Sequence, residues 1–349
     1  MILSSSAAPS LTTPSVPAPS LFRSGVPRSS LETAAERLAA LLTSGGGALG
    51  DPTGVGLEFE AEVRLRPLAR AEPPADVWAV DGGQALVADA RCVQLMVTRA
   101  ARVRFQGGAC TLEDEGELRA HLLGGDEGRL ARASLGLDLP PDTPVDANLL
   151  RDRWEWEAVE RSVEEADEGA LLLVDGDLQP DWRIPSAYLA RLLDRAAGRG
   201  VTLAGVTKRS SLARGGAPLL GQLEIEAEAA LGPRALWWAP VARTRPDVGY
   251  GLQVVAARLD PDARFAFRVD LPTGVDPHAA LGGLASLCDD AAFPGYPYPL
   301  TVADRLAGCP SWIRHDLWLQ VDECFDAAGV PLEVRDRAFA DRHDLMERA

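Results

Sequence analysis

Two short strings hold the residue types best suited to chemistry. Asp81 follows Val77–Val80 in WAVDGG, and Asp175 follows Leu171–Val174 in LLVDGD. Each preceding run is short and apolar and reads as a buried strand, so both aspartates stand where a strand gives way to Asp-Gly. Taken singly, Asp-Gly is ordinary hairpin chemistry. The second string departs from that pattern, because a helix and not an antiparallel strand is expected to follow it. Where a sheet has parallel strands, ligands gather at the strands' carboxyl ends, so two aspartates at two such ends can face one another. A glycine after each lets a metal or phosphate come close to the backbone.

Three further residues belong with them. Glu157 lies seven and three residues beyond Leu150 and Trp154 on a helix expected from about Ala147 to Ala166, which puts its carboxylate on the buried face. A buried glutamate needs a metal or a charged partner, and Arg153 and Arg161, four residues away on either side, are the competing partners. Glu155 and Glu160 are expected to be solvated. Lys208, in GVTKRSS after the apolar run 201–206, shares the end of the sheet with the two aspartates if that strand is parallel. It is the single lysine among 35 basic residues, and beside Arg209, Ser210 and Ser211 it suits contact with a phosphate better than an idle surface position. Asp304 falls in the first turns of a helix opened by GYPYPLTVADRLA (295–307), where an acid alone signifies only a favourable dipole.

None of His121, His278, His315 and His343 lies at metal-ligand spacing from another, and the five cysteines are widely spaced with no CxxC pair. Zinc and a disulfide framework are therefore not indicated. An all-oxygen ligand set suits Mn²⁺ or Mg²⁺, and a pair of such ions held by Asp and Glu suits in-line attack of water on a phosphodiester.

The elements that must hold these residues read as strands over 77–80, 93–98 and 103–105, the helix 147–166 and the buried strand 171–174. A helix over 185–198 and a strand over 201–206 follow. This alternation places helices over a sheet with a parallel portion. Strand-like runs recur at 235–238, 252–259 and 264–271, and helical patterns at 278–289, 300–307 and 334–347. Residues 1–30, rich in Ser, Pro, Ala and Thr, read as a disordered tail. Ser29 and Glu32 form a capping box for a helix over 31–43. With no linker after residue 50, residues 31–349 are expected to form a single α/β domain.

The 349 residues carry 35 basic and 51 acidic side chains, a net charge of −16. That balance excludes broad charge-driven adhesion to nucleic acid, so any such binding must be local. No apolar stretch is long enough to span a bilayer and no secretory signal opens the chain, so a cytoplasmic protein without membrane contact is expected.

VDGG at 80–83, LLLVDGDL at 171–178, GVTKRS at 205–210 and GYPYPLTVADRLA at 295–307 occur in that order, and together they resemble the motif set of the NurA family of DNA repair nucleases. The resemblance covers about residues 76–310. It implies a ribonuclease H-like core with a mixed central sheet flanked by helices. It implies divalent-metal-dependent hydrolysis of single- and double-stranded DNA from 5′ to 3′, by a homodimer working with the hexameric ATPase HerA in end resection. Asp81 and Asp175 match the family's strand-end aspartates, and Glu157 matches the helix glutamate to within a residue or so, leaving Glu155 and Glu160 open. Family members commonly read VDGS where this chain has Gly83, and often carry His where it has Asp304. The aspartate can still ligate a metal but does not supply the proton transfer of a histidine. Two rivals stand beside this reading: a catalytically silent ribonuclease H-like module that binds DNA or a partner, and a phosphatase with Asp175 as nucleophile.

Overall fold

The computed structural model describes residues 28–43, 46–52, 56–340 and 346. The expected tail therefore lies mostly outside the described residues, as does the end of the helical pattern 334–347. Residues up to Ser44 form one unit, whose described part is helix α1 (Arg28–Thr43), with Leu31, Leu38, Leu41 and Leu42 all exposed. The rest of the chain forms the second unit, which contains the candidate residues.

That unit is built on an eleven-stranded mixed sheet. Its strands in chain order are β1 (Leu57–Phe59), β2 (Arg66–Pro67), β3 (Asp76–Asp89), β4 (Gln94–Gln106), β5 (Ala109–Asp114), β6 (Arg119–Leu123), β7 (Leu171–Asp175), β8 (Thr202–Thr207), β9 (Trp237–Thr244), β10 (Leu252–Arg258) and β11 (Phe267–Pro272). Across the sheet they run β1-β9-β10-β11-β8-β7-β3-β4-β5, with β2 also on β9 and β6 also on β4. Among the described residues only β3·β7 and β7·β8 are parallel pairs. The central strand β7 is buried on both faces, as its unbroken Leu-Leu-Leu-Val run requires. Three two-residue strands, 49–50, 213–214 and 217–218, form a separate small sheet.

Strand periodicity divides the core into two layers. Trp78, Val80, Leu172 and Val174 join the cluster under helices α2 (Glu127–Ser134), α3 (Ala147–Glu165) and α4 (Ser186–Gly198). Val77, Ala79, Leu171 and Leu173 join the cluster under α6 (Pro277–Ala285) and α7 (Tyr298–Ala307). Helix α5 (Leu219–Leu231) covers a third cluster on Trp237, Ala239 and Val241. Helices α8 (Ser311–Ala327) and α9 (Leu332–Phe339) complete the unit, with an aromatic contact among Trp318, Phe325 and Phe339. No described helix is long and apolar enough to cross a membrane.

Several elements differ from the sequence reading. The runs 93–98 and 103–105 are one strand, β4, and 77–80 is only the first part of the fourteen-residue β3. Asp81 thus sits inside β3, not at its end: the parallel ladder with β7 stops at Val80, while antiparallel pairing with β4 continues through Gly82 and Gly83 to Asp89. Helices α2, α5 and α8 were not foreseen either.

Candidate active site

Val80 is level with Val174 across the parallel β3·β7 ladder, so Asp81 and Asp175 emerge side by side. Both continue the alternate set that faces α7, and α7 brings Asp304 over that face. One carboxylate oxygen from each of Asp81, Asp175 and Asp304 lies within 4.8 Å of the others. Asp81 is buried, Asp175 half-buried and Asp304 exposed.

Lys208 follows β8, whose parallel pairing with β7 brings it to the same end. Its Nζ donates to Asp175 Oδ2 at 2.6 Å and to Asp304 Oδ1 at 2.5 Å. Tyr296 donates its hydroxyl to the other oxygen of Asp175 at 2.9 Å, and the Lys208 ammonium lies 5.1 Å from its ring centroid. Tyr296 is itself almost wholly buried, packed on Phe267 and Phe293. Burial and the Asp175 charge push its phenol far up, so it stays protonated and donates to Asp175.

Acid exceeds base here, and the carboxyls respond. Burial, then the charges of Asp175 and Asp304, push Asp81 up to about 8 in spite of Lys208. Glu155 is pushed well above the usual carboxylate range by complete burial first and by Asp81 second. Partial burial works against the Lys208 charge, but its bonds to Asp175 and Asp304 outweigh it and hold the ammonium above its ordinary range.

The two glycines after Asp81 let the helices close in from both sides. A Cβ on Gly82 would stand 2.6 Å from Glu155 Oε2, and one on Gly83 would stand 1.8 Å from the Ala307 carbonyl oxygen at the end of α7. Arg99 donates Nε to that same carbonyl at 3.1 Å, tying the helix end to β4. Gly176, by contrast, has φ +129° with nothing near its missing Cβ, so there it is backbone conformation that selects glycine.

Of the sequence candidates, Asp81, Asp175, Lys208 and Asp304 come together. Glu157 does not. It is half-buried on another side of α3 and pairs with Arg119 of β6 at 3.0 Å, not with Arg153 or Arg161. That pair holds its carboxyl below the usual range, and Arg119 also lies over Trp154 at 3.9 Å. The helix glutamate at the site is Glu155, which is buried and not solvated. The error lay in the chosen stripe: α3 is buried on several sides, and Leu150 and Trp154 mark only one of them. Asn148, Arg151, Asp152 and Glu155 recur at helical spacing as a polar stripe, and this is the signal that could have found Glu155. Tyr296 was also missed, although GYPYP placed it just before α7.

No family model matches the chain, and no curated protein does. Solved structures do match. The NurA nuclease from Sulfolobus solfataricus superposes with a TM-score of 0.55 at 14% identity, over 76% of this chain and 88% of that one. A NurA solved with manganese gives 0.45 at 10% identity, over 74% and 91%. The catalytic domain of human endonuclease V gives 0.38 at 16% identity, over 88% and 100%. In its mixed sheet and flanking helices, the chain has a NurA-like fold of the ribonuclease H type.

Proposed function

We propose that the protein is a divalent-metal-dependent nuclease that hydrolyses phosphodiester bonds in DNA. The observation that carries this reading is the convergence of Asp81, Asp175 and Asp304 oxygens within 4.8 Å at the end of the parallel ladder. The residues fit a hard cation: the donors are all oxygens, and the buried Asp81 carboxyl is short of positive charge. Asp81, Asp175 and Asp304, with Glu155 behind Asp81, would hold Mn²⁺ or Mg²⁺, which would supply Lewis-acid polarisation of phosphate and water.

The chain's own groups do the rest. Tyr296 fixes one oxygen of Asp175, so that carboxylate cannot turn away. Lys208, part-exposed and bridging two acids, can turn its ammonium onto a phosphate oxygen and offset charge that grows as water adds to phosphorus and a P–O bond breaks. No histidine stands at 304, so no imidazole proton relay is available there. By likeness to NurA nucleases, the finer reading is a cytoplasmic homodimer that digests DNA from 5′ to 3′ in double-strand break end resection, driven by a HerA-type ATPase.

End-labelled single- and double-stranded DNA incubated with the full chain and Mn²⁺, Mg²⁺ or chelator tests the proposal. Metal-dependent cleavage that Asp175→Ala loses supports it. DNA left intact with either metal overturns it in favour of the silent module, and hydrolysis of a chromogenic phosphate monoester in its place points to the phosphatase.

A further inference from the structure

Beside the three aspartates, on the α3 side of β7, opens a cavity of about 300 Å³. Its walls come from the polar stripe of α3, from the loop after Asp175 and from Thr207 at the end of β8. Asp175 and Glu155 are among its lining residues, so it borders the candidate active site. The size is at the lower end for small-ligand pockets, which run roughly from 300 to 1,000 Å³.

Three side-chain atoms in its wall are shielded from solvent and bond to no protein atom: Arg151 Nε, Gln179 Nε2 and Thr207 Oγ1. Arg151 also makes no ion pair within 4 Å among the described residues. Leaving a buried donor without an acceptor costs free energy, so three in one wall call for a common acceptor-bearing guest. The frame around them is anionic, with Asp152, Asp177 and Asp181 in the same wall. Asp152 is held by the Asp181 backbone N–H at 2.7 Å, and Asp177 accepts from the Gln179 backbone N–H at 3.2 Å, so these carboxylates are fixed in place.

A phosphate would satisfy the three donors but would meet the carboxylates at close range. A neutral guest with carbonyl or ring-nitrogen acceptors satisfies the donors without that repulsion, and its own N–H groups can bond the acids. We infer that this cavity is a nucleobase pocket, which receives the base of the nucleotide next to the phosphate being cut. This inference rests on the nuclease reading, and it adds that cleavage depends on base identity at one position.

The test uses the full chain with Mn²⁺ and a pool of single-stranded oligonucleotides with a randomised segment, and sequences the product ends. One position beside the cut should show a base bias of about fivefold, the discrimination that one net hydrogen bond provides. Gln179→Met and Thr207→Val should each reduce that bias to below twofold, while an oligonucleotide abasic at that position is cut by the variants as fast as by the parent. Cleavage with no bias in the parent, or an unchanged bias in both variants, overturns the pocket. A pool left uncut counts against the nuclease reading alone, and the pocket is then read by binding: an oligonucleotide carrying 2-aminopurine should change fluorescence on the parent and not on Gln179→Met. No change on the parent overturns it.

Discussion

Two groups of buried acids lie in the same sheet and are answered very differently. Around Arg268 of β11, Asp270 takes a bidentate pair at 2.8 and 2.9 Å, Asp51 bonds at 3.0 Å and Asp177 lies at 3.6 Å. Arg268, Asp51 and Asp270 are almost wholly buried, and Asp270 also accepts from the Leu178 backbone N–H, which ties down the loop after Asp175. Around Asp81 the cation bonded to the neighbouring acids is Lys208, whose side chain is 37% exposed and turned to Asp175 and Asp304. In the first group two fully buried acids bond directly to one buried guanidinium and so fix a loop, although the third acid leaves negative charge in excess there too. The second is incomplete as protein alone, and its excess negative charge is what an added cation would relieve.

The comparison can be broken from either side. The largest effect should be on activity: Asp81→Ala and Asp175→Ala should each lower cleavage about a thousandfold, since each removes a ligand from an ion that contributes several kcal/mol. Asp81→Ala should unfold in chelator no earlier than the parent, because it relieves crowding among acids. Near-normal cleavage by either folded variant would end the site assignment. Arg268→Met should behave in the opposite way. It leaves Asp270 and Asp51 buried without their cation and should cost about 3–5 kcal/mol in urea unfolding. A loss below 1 kcal/mol would show that the cluster is not what fixes the loop.

A third effect is one of pH. With chelator present, the unfolded chain gives up the Asp81 proton near pH 4, whereas the folded chain keeps it until about 8. Stability from this group therefore falls as pH rises through that window and levels off above it. Asp81→Asn should flatten the decline, read from urea midpoints across the range. Identical slopes in parent and variant would mean that Asp81 is not the group under strain. The smallest effect concerns Glu157. Its pair with Arg119 is part-exposed, so Glu157→Gln should cost less than about 1 kcal/mol and leave cleavage within twofold, whereas Glu155→Gln should lower cleavage at least tenfold. Equal losses in the two would restore Glu157 to the site.

What the sequence showed and what it hid follow from range. Asp175, Gly176 and Lys208 were legible because each follows an apolar run too short for a helix, and β7 and β8 are parallel as that run pattern demanded. Asp81 was found for a partly mistaken reason. Gly82 and Gly83 read as a turn, but both lie within β3, where close helix approach and not chain reversal selects glycine. Local pattern cannot separate those two uses of glycine, since the deciding atoms, on Glu155 and Ala307, are more than seventy residues away. Glu155 was hidden because α3 is buried on several sides, so no single apolar stripe pointed inward.

The seat of α7 on Gly83 sets how far a side chain at 304 has to reach. Backbone rests on backbone there, with the Ala307 carbonyl in the space a Cβ would fill and Arg99 holding the same carbonyl from β4. A serine at 83 would lift this helix end away from β3, and the span from its backbone to Asp81 and Asp175 would lengthen by about the same amount. A short carboxylate closes the gap at the present standoff; a raised helix would need a longer group, such as an imidazole, to touch the same point. Gly83 thereby sets the standoff at which the carboxylate of Asp304 meets those of Asp81 and Asp175.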